Sequence, residues 1–253
     1  QLPQIEVAVG ENATALVFRH LKPLTDPDRD ALAAFGEIHQ TQIFTQSKGP
    51  KTVTAVWPTE PDSLNYPLEK FGLTIEFSPV DFVQINGAIN EKLVETITSW
   101  LELNHQDEVL DLFCGLGNFS LATAQSAKKV LGVEGEPSLV QKAELNASRN
   151  QIQNATFRTR DLFDDGIADW SEGNFSKVIV DPPRSGAREA LKRVVDDVKP
   201  EAIAYVSCNP ATLARDSADL IESGIYRLDR LLVADMFPHT AHVETAALFK
   251  QIS

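Results

Sequence analysis

Two short segments carry side chains that could form covalent bonds or move protons. Asp181-Pro182-Pro183-Arg184 follows the apolar run Lys177-Val178-Ile179-Val180, and Ser207-Cys208-Asn209-Pro210 follows Ala202-Ile203-Ala204-Tyr205-Val206. Each is followed by a helical pattern. In an open α/β sheet, functional groups collect at the carboxyl ends of the strands. A carboxylate and a thiol far apart in sequence are therefore expected side by side above one sheet edge. That pairing points to nucleophilic chemistry. Asn209-Pro210 marks a helix start, and a helix N-terminus lowers the pKa of a thiol placed there, so Cys208 is expected to have a raised thiolate fraction. A buried structural cysteine is the bland alternative, and the two adjoining turns weaken it.

A third segment, Phe237-Pro238-His239-Thr240-Ala241-His242-Val243-Glu244, lies between the last two strand-like runs. It brings two histidines and a carboxylate toward the same edge. It reads either as a polar loop satisfied by local hydrogen bonds or as part of a metal site, although no third ligand lies near. The chain holds two cysteines, Cys114 and Cys208. These are too few for a zinc or iron–sulfur site built from protein thiolates alone.

The other half of a site lies upstream. Asp111-Leu112-Phe113-Cys114-Gly115-Leu116-Gly117-Asn118 follows a strand pattern and opens a helix. Gly115 and Gly117 allow a tight turn and close approach of a ligand to backbone N–H groups at a helix N-terminus. Glu134 ends the next strand, where an acid would grip ribose hydroxyls. The arrangement fits a nicotinamide dinucleotide or S-adenosylmethionine. A dinucleotide fingerprint expects a third glycine, and Ser120 stands there instead. A tight strand–helix turn beside a surface glutamate is the structural alternative. Asp161, closing the third strand, reads either as an acceptor for an adenine amino group or as a cap for a helix from Leu162. Cys114 reads as a small buried filler beside the glycines.

The elements that must position these groups fall into two textures. Residues 1–80 are strand-rich, with runs such as Ile5–Val9, Ala15–Phe18, Thr52–Trp57 and Leu73–Phe77. One helix interrupts them, with Asp26 before it and Pro27 at an N1-like position. This part is expected to be a small β-rich accessory region, incomplete without upstream sequence. Residues 81–253 alternate helix and strand. Asn86 is expected to cap a helix with the apolar stripe Ile89, Leu93, Ile97 and Trp100. Strands are predicted at Glu108–Phe113, Lys129–Val133 and Ala155–Arg160, with two more ending at Asp181 and Ser207. Helices are predicted from Pro137 to Asn150 and from Pro210 to Gly224. Tyr226–Ala234 and Glu244–Lys250 close the chain as a hairpin-like pair. Together these imply an α/β fold around a mostly parallel, doubly wound sheet, with one antiparallel strand at its end.

Composition narrows the function classes. A formal charge of −13 over 253 residues argues against a surface that binds nucleic acid all over. Arg184, Arg188, Lys192 and Arg193 could still form a local basic face, or only a solvated helix face. No apolar run approaches bilayer length and no signal peptide opens the chain, so no membrane partner is expected. Sparse cysteine favours a reducing, cytoplasmic compartment. The first residue is Gln1 and the sole methionine is Met236, so the chain is expected to be a fragment or a processed form.

Asp-Leu-Phe-Cys-Gly-x-Gly-Asn, Asp-Pro-Pro-Arg, Ser-Cys-Asn-Pro-Ala-Thr-Leu-Ala-Arg-Asp and Phe-Pro-His-Thr-x-His-x-Glu, in this order, resemble the bacterial RNA uracil-C5 methyltransferases. The segment Cys208–Asp216 most resembles the branch that methylates 23S ribosomal RNA. The transfer-RNA branch differs in the motif ending at Arg215-Asp216. The resemblance implies a Rossmann-like S-adenosylmethionine-dependent methyltransferase fold. It places Gln84, Phe113, Gly115, Gly117, Asn118, Glu134, Asp161 and Asp181 around the cofactor. Cys208 would be the nucleophile toward uracil C6, Glu244 the base, and Asp181 an acceptor for the uracil N3–H. The target uridine, single-stranded or in a loop, would be flipped into the pocket. Phe82, next to Gln84, would offer a stacking surface unless it is a core residue at the domain junction. Relatives of this branch carry an upstream RNA-binding TRAM domain and a four-cysteine iron–sulfur cluster. Neither is expected in this chain.

Two other readings stay open. An amino-group methyltransferase would also place a Pro-Pro motif after the fourth strand, but usually with an aromatic where Arg184 stands, and it would have no need of Cys208 or Glu244. A non-catalytic RNA- or ribosome-binding module would retain only the cofactor fold.

Overall fold

A computed structural model describes residues 2–164, 169–240 and 242–252. The chain divides into two compact units, residues 1–67 with 74–83, and residues 68–73 with 84–253.

In the first unit, strands β1 (Gln4–Val9), β2 (Thr14–Arg19), β3 (Gln42–Gln46) and β4 (Val53–Trp57) form one sheet in sequence order. Helix α1 (Asp26–His39) makes the crossover between the parallel strands β2 and β3. Its cap is Thr25, one residue earlier than expected. The Thr25 hydroxyl accepts from the Asp28 backbone N–H while the Asp28 carboxylate accepts from the Thr25 N–H, a reciprocal box that satisfies two orphan donors. Strands β5 (Leu64–Leu68) and β6 (Leu73–Phe77) pair separately. β3 and β5 go beyond the runs named from sequence. Glutamines bound β3 and Pro67 interrupts β5, which hides the usual apolar alternation.

The second unit opens with α2 (Gly87–Leu101), where the Asn86 side chain accepts from the Ile89 N–H as anticipated. Its buried stripe is Asn90, Leu93, Val94, Ile97 and Leu101. Ile89 and Trp100 are only half-buried, so the stripe is turned by about one residue from the expected one. Strand β7 (Glu108–Leu112), α3 (Asn118–Ala124), β8 (Lys129–Glu134), α4 (Pro137–Arg149), β9 (Ala155–Thr159) and β10 (Lys177–Val180) follow. Then come α5 (Arg188–Arg193), β11 (Ala202–Ser207), α6 (Pro210–Glu222), β12 (Tyr226–Ala234) and β13 (Glu244–Gln251).

These seven strands lie in the order β12-β13-β11-β10-β7-β8-β9. β11, β10, β7, β8 and β9 are mutually parallel, and β13 runs antiparallel to both neighbours. The expected closing hairpin is present, with its return strand inserted beside β11. The central strands have no solvent-facing side, which is why they read as near-continuous apolar runs. Leu110, Leu112, Val178, Val180, Ile203 and Tyr205 anchor a shared core with α5 and α6 residues such as Leu191 and Leu220. Each fully buried side chain of this size contributes roughly 1.5–3 kcal/mol. The sheet reverses winding between β7 and β10, so a crevice opens above their carboxyl ends.

Candidate active site

The cofactor half is built where β7 ends. Phe113 adopts a left-handed backbone (φ 63°), and its N–H and that of Cys114 both donate to the Val133 carbonyl, at 2.9 and 3.1 Å. An L-residue held there stores local strain. Gly115 (φ 54°) and Gly117 (φ 91°) complete the turn. A Cβ on Gly115 would meet nothing within 4 Å, so the loop faces open space at that point. α3 starts behind Gly117 with no side-chain cap.

Glu134, at the end of β8, braces this turn. One carboxylate oxygen accepts from the Gly115 N–H at 3.2 Å and the other from the Glu136 N–H at 3.0 Å. Asn118 exchanges two side-chain amide bonds with Asn90 of α2, at 2.9 and 3.1 Å. Asn146 of α4 donates to the Leu116 carbonyl. The Asp161 carboxylate accepts from the Phe163 N–H at 2.9 Å, and no helix starts among the described residues just after it. It caps a turn. Phe163 stands 5.5 Å from Phe113, ring centre to ring centre. Cys114 is buried, and a Cβ on Gly132 would sit 2.9 Å from its sulfur, so it fills space beside a glycine.

Asp111 was not among the expected site residues. It is fully buried inside β7, and burial above all pushes its carboxyl up to about 7, with Glu134 adding repulsion and Ser120 opposing through a hydrogen bond. Its Oδ1 has no partner, and neither does the buried Oε1 of Gln84. Unpaired buried acceptors are costly unless a ligand donor meets them. The visible signal was an acid inside the apolar strand Val109-Leu110-Asp111-Leu112. With the open space at Gly115 and the uncapped α3, these acceptors fit a ligand bearing an ammonium group and hydroxyls, as S-adenosylmethionine does.

The reacting half lies across the switch point. The Asp181 N–H donates to the Leu112 carbonyl at 3.2 Å, tying the end of β10 to the end of β7. Cys208 follows β11 and precedes Asn209, whose side chain caps α6 by accepting from the Ala211 N–H. Glu244 is the first residue of β13 and is 3% exposed. β11 and β13 pair Ser207 with Thr245, and Cys208 and Glu244 each lie one residue beyond that pair at the same end of the two strands. Burial raises Glu244 to about 7. Burial, then Glu244 and Asp111, raise Asp181 to about 8.

The Cys208 thiol departs from expectation. Burial first, then Glu244 and Asp181, push its pKa above the ordinary value, outweighing its own backbone hydrogen bond and Arg184. A helix terminus carries only about half a charge, and burial, with two nearby carboxyls adding to it, outweighs that.

The expected local basic face is largely neutralised. Arg188 pairs with Asp219, Lys192 with Asp196 and Arg193 with Asp197, while the charge of Arg184 acts on the Cys208 thiol. In the Phe237–Glu244 loop, Thr240 donates to the Phe237 carbonyl and accepts from the His242 N–H; Ala241 lies outside the described residues. Among the described residues no group of three His, Cys, Asp or Glu stands close enough to hold a metal ion. Phe82 is 77% exposed, which removes its reading as a core residue.

Residues 68–252 match the family described as tRNA (Uracil-5-)-methyltransferase. The chain belongs to that family. Among curated members, it is 46% identical over 254 residues to the 23S rRNA (uracil(1939)-C(5))-methyltransferase RlmD of Nitrosococcus oceani, covering 99% of this chain and 56% of that protein. The RlmD of Thiobacillus denitrificans is 45% identical over 252 residues, with 99% and 58% covered. The chain thus spans little more than half the length of the curated family members it matches. Among solved structures, the Pyrococcus abyssi tRNA (uracil-54, C5)-methyltransferase in complex with S-adenosyl-L-homocysteine superposes with a TM-score of 0.74. It is 27% identical, with 96% of this chain and 58% of that chain covered. The seven-stranded unit has the S-adenosylmethionine-dependent methyltransferase fold of this family, as the expected Rossmann-like class required.

Proposed function

We propose that this chain is the catalytic part of an enzyme that methylates C5 of a uridine in 23S ribosomal RNA, with S-adenosylmethionine as methyl donor. The observation that carries this reading is the meeting of Cys208, Glu244 and Asp181 at the ends of β11, β13 and β10. Family membership supports the reaction type, and the greater identity to RlmD proteins supports ribosomal over transfer RNA.

The cofactor would be held by Gln84, Phe113, Gly115, Gly117, Asn118, Glu134, Asp161 and Asp181, with Asp111 added by its unpaired buried oxygen. When bound, it supplies an electrophilic methyl sulfonium. Glu134, already oriented by two backbone N–H groups, is assigned to the ribose hydroxyls. Asn118, held by Asn90 at the start of α3, keeps its assignment to the cofactor.

Uracil C5 is a weak nucleophile. The Cys208 thiolate adds to C6, and the electrons of the C5–C6 double bond shift to give an enolate nucleophilic at C5. Asp181 accepts from the uracil N3–H and fixes the ring. Once C5 bears the new methyl group, Glu244 takes the remaining C5 proton. The double bond re-forms and Cys208 leaves as thiolate. A carboxyl raised to about 7 suits a base working near neutrality. The target base must leave its stack to reach these groups, at a cost of about a few kcal/mol. The family resemblance assigns part of RNA docking to an upstream TRAM-type domain, which lies outside these residues.

The test is methyl transfer from radiolabelled S-adenosylmethionine to 23S ribosomal RNA, followed by nucleoside analysis. Label in 5-methyluridine supports the reading. Label in N-methylated adenosine would move the chain to amino-group methylation.

A further inference from the structure

Asp216 lies on α6, one turn and more beyond Cys208, and has no solvent exposure at all. Its side chain gathers hydrogen bonds from three segments. Oδ2 accepts from the Tyr205 hydroxyl of β11 at 2.6 Å and from the Ala187 backbone N–H at 2.9 Å. Oδ1 accepts from Nε of Arg215 at 2.7 Å. The Arg215 guanidinium reaches on to the Ser185 carbonyl at 2.9 Å. Gly186 passes so close that an added Cβ would sit 2.5 Å from both Asp216 Oδ2 and Arg215 Nη2, and its φ of 85° also excludes an L side chain. The loop that follows Asp181 is therefore stitched, residue by residue, to the helix that follows Cys208. Asn209 adds one more bond, from its side-chain amide to the Arg184 carbonyl at 3.0 Å.

The two ends of this loop are held differently. Asp181 is fixed from the sheet through Leu112, whereas residues 184–187 are fixed from α6. We propose that Asp216 is a positioning residue of the reactive centre, which through Ala187, Tyr205 and Arg215 holds the loop so that Arg184, whose carbonyl accepts from the Asn209 amide, stays at the turn that carries Cys208. This rests on reading Cys208 as the nucleophile. The charged groups that act on the Cys208 thiol are Glu244 from β13, and Asp181 and Arg184 from the loop after β10. Only Arg184 among them favours the thiolate. Releasing residues 184–187 removes that one cation while leaving both carboxylates in place. Fewer thiolates form at a given pH, although nothing that touches the cofactor turn has changed.

The experiment is the pH dependence of Cys208 alkylation by iodoacetamide in the whole chain, located by peptide mass spectrometry, for wild type and Asp216→Asn. An asparagine keeps the shape but turns a donor toward groups that themselves donate. The alkylation midpoint is expected to rise by about half a unit, so that the rate near pH 7 falls about threefold. S-adenosylmethionine affinity by calorimetry and the circular dichroism spectrum are expected to stay as in wild type. Arg184→Ala should reproduce the same midpoint shift, and the double variant should shift no further, which a general loosening of the fold would not do. If Asp216→Asn does not fold, Tyr205→Phe, which removes one donor and only a hydroxyl, carries the same expectation. A folded variant with the wild-type alkylation profile overturns the proposal. Alkylation needs no RNA, so an absence of methyl transfer by the wild-type chain would count against the reaction assigned above and leave this test unaffected.

Discussion

Thr245 donates its hydroxyl to the Ser207 carbonyl at 3.0 Å, locking the antiparallel register of β13 against β11 at the edge of the candidate site. One residue outward from that lock lie Cys208, at the bend after β11, and Glu244, the first residue of β13. A slip of one residue would send Glu244 to the other face of the sheet. The register of two strands therefore sets where the proposed nucleophile and base lie relative to each other.

Cys208→Ala is expected to abolish methyl transfer and to leave S-adenosylmethionine affinity within about twofold, because the thiol lies outside the cofactor turn. Single-turnover assays and calorimetry on one preparation check both parts. Residual turnover near the wild-type rate would remove the covalent route.

Glu244→Gln is expected to accumulate a protein–RNA adduct, since the C5 proton then has no acceptor. In wild type the rate should climb as pH rises through about 7, where Glu244 loses its proton. It should keep climbing above that as the raised Cys208 thiol ionises. A rate that falls between pH 6 and 8, values spanning roughly one unit on either side of neutrality, would contradict the base assignment.

The stability of the ligand-free protein should fall as pH rises. Asp111 and Glu244 are raised to about 7 and Asp181 to about 8, in each case by burial first. In the unfolded chain these groups ionise near about 4. Between those values the folded state retains protons that the unfolded state has released, so the stabilisation is complete below about pH 4 and is lost through about pH 7 to 8. Carboxylates lowered by partners, such as Asp169 beside Arg160, act at more acidic pH. Calorimetric Tm values across the neutral range are expected to decline, with a shallower slope in Asp181→Asn. A Tm that rises would show that the three carboxyls are not held in this environment.

Glu134→Ala is expected to weaken S-adenosylmethionine binding by ~1–3 kcal/mol, the worth of hydrogen bonds to a charged group. Because Glu134 also holds the Gly115 N–H, the loss should appear together with faster hydrogen exchange in the 113–117 turn. Unchanged affinity by calorimetry would displace the ribose assignment.

Much of this site was legible from residue order alone. Asp181 and Cys208 follow β-branched runs that only a buried parallel strand explains, and the sheet order then brings their ends together. Glu134 and the glycine turn were legible for the same reason. The rest depends on distances that sequence spacing does not encode. The sign of the Cys208 shift is decided first by burial and then by Glu244 and Asp181, which arrive from other strands. The Asn118–Asn90 pair was not legible, because Asn90 sits inside an apolar helical stripe, where an amide attracts no notice until the two helices meet. Asp111 was passed over as part of a strand, and its meaning appears only when one oxygen is found buried without a partner.

The most direct measurement mixes this chain with S-adenosylmethionine and a ribosomal RNA fragment carrying 5-fluorouridine, then digests the product and maps any adduct by mass spectrometry. Fluorine cannot leave C5 as a proton does, so the reaction should stall with RNA bound to Cys208 and a methyl group on C5. A methylated adduct at Cys208 is the predicted result. Cofactor binding without any adduct, or an adduct on another residue, would contradict the assignment of Cys208 as the nucleophile.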